Sequence, residues 1–145
     1  MDVCSIMRAN VPTVLETASI RAAVEMMCES RLSGLPVVDQ QGRLSGMVTE
    51  HDVIKALMPG YSEVISEEAT RPDFNFLLES RAKEIRDRPV SSIMARNAVA
   101  LSVSDSVIRA AATMLVKRIK VLPVVDGEKP IGIVTRIDLA RALIR

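Results

Sequence analysis

The sequence contains no tryptophan, one tyrosine and two phenylalanines, and all three aromatic residues lie between positions 61 and 76. The rest of any hydrophobic core must therefore be aliphatic, built from leucine, isoleucine, valine, alanine and methionine. No run approaches the 18 apolar residues of a membrane span, and the N-terminus has no basic region followed by an apolar one. We therefore expect a cytoplasmic protein with no membrane association and no secretory signal.

Residue types that usually build catalytic or metal sites are also scarce. His51 is the only histidine, and Cys4 and Cys28 have neither metal-ligand nor redox spacing. The sequence has no glycine-rich phosphate loop, no serine or cysteine placed to pair with His51, and no pattern typical of nucleic-acid binding. We expect no enzyme, no metal site and no nucleic-acid partner. His51 is expected to face solvent rather than contact a phosphate, and Cys28 to be an inert buried thiol on an apolar helix face.

What the sequence does contain is a long internal repeat. Residues 35–39 and 122–126 both read LPVVD, and a Gly-x-x-Thr-x-x-Asp motif occupies residues 46–52 and 132–138. An Ile-Met pair precedes them at residues 6–7 and 93–94. We therefore divide the chain into repeat 1 (1–58), an insert (59–88) and repeat 2 (89–145), and we expect the two repeats to pack as one domain about a pseudo-twofold axis.

Each repeat is predicted to fold as β-α-β-β-α, which makes the fold class α+β. In repeat 1 we expect a strand at 13–14, a helix capped by Thr17, a hairpin of strands 35–38 and 44–49, and a helix over 50–58. The first helix has apolar residues at i, i+3, i+4, i+7 and i+8, ending at Cys28, and repeat 2 has the same stripe ending at Leu115. Repeat 2 is predicted to match throughout, with Ser104 as the cap of its first helix.

The thirty-residue insert is too long for a plain loop and is predicted to be helical. Phe74, Leu77, Leu78 and Ile85 suit one helix, with Asp73 as its cap. The aromatic residues of the insert either clamp it to the repeats or form a self-association surface, and we favour clamping. The net charge of +1 conceals an asymmetry of −2 in residues 1–58, −2 in 59–88 and +5 in 89–145. The basic part either attracts an anionic partner or forms solvated helix faces.

The two Thr-x-x-Asp motifs each begin a helix directly after a strand. A helix N-terminus offers unpaired N–H groups and a positive dipole end, which suit a phosphate. A carboxylate there can accept two hydrogen bonds from a vicinal diol such as a ribose. Alternatively, threonine only caps the helix and aspartate only favours its first turn. Residue patterns alone leave both interpretations open.

Together, these repeated signatures resemble the cystathionine-β-synthase (CBS) domain pair, also called a Bateman module, over residues 3–58 and 90–144. The resemblance implies a pseudo-symmetric disc, commonly paired with a second disc. It also implies clefts between the repeats that bind adenosine-containing ligands such as AMP, ADP, ATP or S-adenosylmethionine, with no required cofactor.

In that family each cleft combines the Thr/Asp pair of one repeat with a wall from the other. The resemblance therefore implies two sets of ligand-binding residues. The first set is Thr135 and Asp138 with Met7, Pro12, Ser33, Gly34 and Leu35. The second set is Thr49 and Asp52 with Met94, Val99, Lys120, Val121 and Leu122. Lys120 occupies a position where family members often bind phosphate, and Arg136 is expected to add a contact.

The resemblance thus implies a regulatory module that senses an adenosine ligand, and we expect it to form a homodimer and to act on an unknown protein target. We expect the cleft at Asp52 to prefer a phosphorylated ligand, and the cleft at Asp138 to tolerate a less charged one. The alternative is a dimerisation or docking module whose clefts are empty or vestigial.

Overall fold

The computed structural model describes the backbone of residues 1–58 and 74–145 and the side chains of residues 1–58 and 76–145. Repeat 1 contains β1 (Arg8–Ala9), β2 (Val14–Leu15), α1 (Ile20–Ser30), β3 (Gly34–Val38), β4 (Leu44–Thr49) and α2 (Glu50–Leu57). The helix α3 (Phe74–Ile85) precedes repeat 2. Repeat 2 contains β5 (Ala95–Arg96), β6 (Leu101–Ser102), α4 (Val107–Lys117), β7 (Val121–Asp126), β8 (Lys129–Thr135) and α5 (Arg136–Ile144). Short 3-10 turns at Val3–Ser5 and Val90–Ser92 precede β1 and β5.

The strands form two four-stranded sheets, in the orders β2-β3-β4-β5 and β6-β7-β8-β1. Within each repeat a parallel pair, joined through the first helix, lies beside the antiparallel hairpin, as expected from β-α-β-β-α. The α+β fold class and the tandem repeat are therefore confirmed. In the described residues no helix is both long and apolar enough to span a bilayer.

The first strand of each repeat pairs with the sheet of the other repeat. In β1, Arg8 lies opposite Ile133, and in β5, Ala95 lies opposite Met47. The 3-10 turns before β1 and β5 also pack against the other repeat, because Val3 lies in the core of repeat 2 and Val90 lies in the core of repeat 1. The two repeats are therefore joined by reciprocal strand pairing as well as by side-chain contact.

The cores are aliphatic, as the shortage of aromatic residues predicts. The core of repeat 1 centres on Leu35, Val37 and Val48, and that of repeat 2 on Leu122, Val124 and Val134, all fully buried. At about 25 cal/mol per Å² of apolar surface, each such side chain contributes roughly 1.5–3 kcal/mol.

Two predicted helix caps were placed two residues too early. Ser19, rather than Thr17, accepts the hydrogen bond from the Ala22 N–H at 3.1 Å, and Ser106, rather than Ser104, accepts from the Arg109 N–H at 3.1 Å. The reason is that Thr17 and Ser104 lie in the turn that follows the preceding strand, and each helix begins only after that turn closes. Similarly, the strand predicted at 13–14 is β2, which covers Val14–Leu15, and α2 ends at Leu57 rather than at 58.

The prediction that Cys28 is buried was wrong, because both cysteines are exposed. Cys28 and Leu115 are the i+8 members of the two apolar stripes, and Leu115 is 80% exposed. A helix of 3.6 residues per turn rotates about 80° over eight residues beyond two full turns, so these positions lie at the edge of the buried face. There Cys28 lines a groove between α1 and α2, and Leu115 lines a groove between α4 and α5.

The insert helix α3 is confirmed, but Phe76 does not clamp it, because that side chain is 69% exposed. The described contacts are made instead by Arg81, whose Nε donates to the Ala56 carbonyl at 3.1 Å, and by Ile85, which is 3% exposed. The predictions for Tyr61, the cap Asp73 and the Phe74 side chain lie outside the described residues.

Candidate functional site

Each Thr-x-x-Asp motif lies where a buried strand turns directly into a helix. Thr49 ends β4 and caps α2, and Thr135 ends β8 and caps α5. In both copies the backbone N–H and the hydroxyl of the threonine donate to one carboxylate oxygen of the aspartate. For Asp52 Oδ2 these distances are 2.9 and 3.0 Å, and for Asp138 Oδ2 they are 2.9 and 2.7 Å. Both motifs therefore form capping boxes, which agrees with the interpretation that each threonine caps its helix.

Capping does not exclude ligand binding, because each box uses one carboxylate oxygen. In the described part of the chain, Asp52 Oδ1 accepts no hydrogen bond. A carboxylate oxygen has two lone pairs, so Asp52 retains capacity for a hydroxyl donor from a ligand. Its side chain is held in one orientation by the box, which lowers the entropy cost of binding.

A pocket of about 320 Å³ opens beside Thr49 and is lined by both repeats. Repeat 1 contributes Ser33, Thr49, Glu50 and His51, and repeat 2 contributes Arg118, Ile119, Lys120 and Val121. It unites Thr49, Lys120 and Val121 of the second predicted set and also contains Ser33 of the first. We call this space the Thr49 pocket.

The Thr49 pocket combines an apolar wall with positive charge. Ile119 and Val121 provide the apolar part, and Arg118 and Lys120 provide two cations beside the N-terminus of α2. The Lys120 Nζ lies 3.9 Å from Glu50 Oε1, and both side chains are more than 60% exposed. Such an exposed pair contributes little to stability, so Lys120 can turn to an anionic ligand at low cost. His51 is exposed, as expected, and also lines this pocket.

The Asp138 corner is arranged differently, because Arg8 from β1 reaches it. The Arg8 Nε donates to both oxygens of Asp138 at 3.1 Å, and Arg8 Nη2 lies 3.5 Å from Thr135 Oγ1. Met7 lies beside β8, since a Cβ added to Gly132 would be 2.9 Å from the Met7 Sδ. The structure therefore brings the start of repeat 1 to the Thr/Asp corner of repeat 2, as the first predicted set requires.

The following predicted residues do not line the Thr49 pocket, although Gly34 lies opposite Thr49 in the pairing of β3 with β4. Leu35 and Leu122 are fully buried, and Gly34 and Met94 are also buried, whereas Pro12 is half-buried and Val99 is 36% exposed. The Arg136 Nε donates to the Ile119 carbonyl at 3.3 Å. The Arg136 side chain lines the groove between α4 and α5 rather than the Thr49 pocket. A ligand contact by any of these residues stays a prediction.

Arg8 was missed by the reasoning from sequence. The available signal was an asymmetry between the copies: with the offset of 87 positions, Arg8 corresponds to Ala95, so only one copy has an arginine at this position. Nothing in the local pattern around Arg8 indicates that its partner lies 130 positions away.

Comparison with known proteins agrees with this fold. The chain is 32% identical to a CBS domain-containing protein of Dictyostelium discoideum, over 97% of this chain and 86% of that one. It is 34% identical to part of a homoserine O-acetyltransferase of Methanocorpusculum labreanum, covering 87% of this chain but only 20% of that protein. The match to that longer protein gives no basis for assigning its activity to this chain.

Two solved structures of similar proteins contain adenosine compounds. CBSX2 from Arabidopsis thaliana superposes with a TM-score of 0.78 and 28% identity, over 99% of this chain and 94% of that one. A structure of CBSX2 in complex with AMP gives a TM-score of 0.74 and 26% identity, over 99% and 96%. The CBS domain pair of protein MJ0100, in complex with 5-methylthioadenosine and S-adenosyl-L-methionine, gives 0.76 and 25%, over 99% and 95%.

The family assignment rests on most of the chain. The family model of the CBS domain matches residues 3–59 and again residues 90–145. These two segments overlap the two predicted repeats, and their boundaries stay a prediction. The resemblance stated from the motifs is therefore confirmed, and the chain belongs to the CBS domain family as a pair of CBS domains.

Proposed function

We propose that this protein is a regulatory module that binds an adenosine-containing ligand in the Thr49 pocket. The observation that carries the proposal is that this pocket joins Thr49, whose hydroxyl holds the Asp52 carboxylate beside it, to an apolar and cationic wall of the other repeat. A ribose diol would donate to Asp52, the adenine would pack against Ile119 and Val121, and a phosphate would approach Lys120. The AMP and S-adenosylmethionine complexes of similar proteins support this ligand class.

The ligand is expected to act by changing the relation between the two repeats. The Thr49 pocket is lined by both of them, so a bound ligand touches each repeat at once. A ligand shifts such an arrangement only by its different affinity for the two states, and a partner protein would respond to that shift. No catalytic step is part of this proposal.

AMP is the first ligand to test, because the cations of the pocket favour a phosphate. A ligand bound only by the folded state at 100 times its Kd stabilises by about 2.7 kcal/mol. For a chain of this size that is roughly 5–10 °C in Tm. We expect a shift of that order with one or more of AMP, ADP, ATP and S-adenosylmethionine. If all four leave Tm unchanged at millimolar concentration, the docking alternative is favoured.

The phosphate preference is tested by reversing one charge. Lys120→Glu is expected to weaken AMP binding in calorimetry by tenfold or more and to affect uncharged adenosine much less. Lys129→Glu is the matched control, because Lys129 is exposed on the β7–β8 hairpin and does not line the pocket. Unchanged AMP affinity in Lys120→Glu would contradict the role given to that lysine.

We further propose that the module forms a homodimer through its helical face. Two apolar grooves occupy equivalent positions, one of about 450 Å³ between α1 and α2 and one of about 520 Å³ between α4 and α5. Cys28 and Leu115 are equivalent lining residues of the two grooves. The face of repeat 2 also exposes Ile108, Val116, Ile137 and Leu143. Because the grooves are related by the pseudo-twofold axis, a second copy offers a matching surface for a symmetric interface.

A further inference from the structure

The Arg8 side chain occupies the carboxylate that a ligand would need at the Asp138 corner. Asp138 Oδ2 already accepts from the backbone and hydroxyl of Thr135, and Arg8 Nε adds a contact to each carboxylate oxygen. The Asp138 side chain is 10% exposed, whereas that of Arg8 is 42% exposed. Arg8 is therefore the more exposed partner of this ion pair, and it also occupies Oδ1, the carboxylate oxygen that the capping box leaves free.

The equivalent position beside Asp52 is Ala95, which has no group that could reach a carboxylate. The backbones are arranged alike, since β5 pairs with β4 as β1 pairs with β8. One difference between the two corners is thus a single side chain on a shared strand framework, Arg8 in one copy and Ala95 in the other. The corner with alanine adjoins the Thr49 pocket, and the corner with arginine holds an ion pair.

We propose that Arg8 closes the Asp138 corner to ribose diols, so that the chain binds one adenosine-type ligand, at the Asp52 corner. A diol approaching Asp138 must displace a charge-assisted hydrogen-bond donor, which a neutral hydroxyl pair does not replace. Approach to Asp52 Oδ1 displaces no hydrogen-bond donor among the residues that the structure describes. Arg8 and Ala95 are in this way specificity-determining residues, and the inference rests on the proposed function of the Thr49 pocket.

Exchanging the two residues tests this directly, with AMP stoichiometry and affinity measured by calorimetry. We expect one AMP per wild-type chain, two for Arg8→Ala, and at least tenfold weaker binding for Ala95→Arg. The exchanged chain, Arg8→Ala with Ala95→Arg, should again bind one AMP, and this binding should be lost in Asp138→Asn rather than in Asp52→Asn. Arg96→Ala removes a neighbouring arginine of β5, whose Nη2 donates to the Ser91 carbonyl at 3.4 Å, and should leave the stoichiometry at one AMP per chain.

The outcomes separate this inference from the function on which it rests. Two AMP per wild-type chain, or weaker binding in Arg8→Ala, overturns the role of Arg8 while leaving nucleotide binding intact. The absence of AMP binding in every variant overturns the proposed function, and this inference with it. Thermal melts of each variant show that folding is retained, and Arg8→Ala places at position 8 the residue that the other copy already has.

Discussion

Gly46→Ala should destabilise the protein, because β5 pairs with β4 so closely at this residue that a side chain has no room. A Cβ at Gly46 would overlap the carbonyl oxygen of Ala95 and lie 3.2 Å from its carbonyl carbon and 3.4 Å from the Met94 Sδ. The overlap is with backbone, so it is relieved only if β5 moves away. Inserting a methyl group into such packing costs about 1–3 kcal/mol. Replacing glycine recovers about 0.4–1 kcal/mol from the unfolded state.

At the middle of these two ranges the expected net loss is about 1.3 kcal/mol, or about 3–5 °C in Tm at this chain length. Urea unfolding followed by circular dichroism measures it. Ser45→Ala on the same strand adds no atoms and should change stability by less than about 0.5 kcal/mol. Gly132→Ala should resemble Gly46→Ala, because its Cβ would be 2.7 Å from the Arg8 carbonyl oxygen. Unchanged or raised stability in Gly46→Ala would refute this account of the strand exchange.

Three further changes test the core, the caps and the helical face. Leu122→Ala leaves a cavity at a fully buried position and should cost about 2–5 kcal/mol in urea unfolding; a loss under 1 kcal/mol would argue against the assigned core. Thr135→Ala removes a cap acceptor and should cost about 1 kcal/mol, readable as a lower Tm. Leu115→Glu should convert a dimer to a monomer in light scattering with little change in Tm, whereas Lys129→Glu, an exposed charge reversal on the β7–β8 hairpin, should leave the mass unchanged.

The local parts of the fold could be predicted because each has its own sequence signal. The two hairpins and the apolar faces of α1 and α4 follow from periodicity over fewer than 20 residues, and the repeat follows from matching motifs 86 or 87 positions apart. The N-terminal caps of α1 and α4, Ser19 and Ser106, could not be predicted as accurately, since serine and threonine residues on either side of a turn are equally good caps. Only the backbone of the turn decides between them.

The exchange of first strands could not be predicted for a different reason. β1 and β5 have two residues each, too few for an alternating pattern. Their partners are more than 40 positions away along the chain, at Ile133 and Met47. The Gly-x-x-Thr motif contains the trace of this pairing, because Gly46 and Gly132 are the residues that the exchanged strands approach most closely.

The candidate site likewise has a part that the local sequence predicts and a part that it does not. The corners at Thr49 and Thr135 were predicted, because a hydroxyl and an acid three residues apart after a strand form a capping box by local geometry alone. The difference between the corners depends on Arg8, whose contact with Asp138 spans the whole chain. Charge counting identified repeat 2 as basic but gave no indication that an arginine of repeat 1 neutralises its acidic corner.

The most direct test of the account is calorimetric titration of AMP into the wild-type protein, Asp52→Asn and Asp138→Asn under one set of conditions. Hydrogen bonds to a charged group are worth about 1.5–3 kcal/mol, which corresponds to about a 10- to 150-fold change in Kd. The account predicts a loss of that size in Asp52→Asn and a change under twofold in Asp138→Asn. Equal losses in the two variants, or no binding by the wild-type protein, would contradict it.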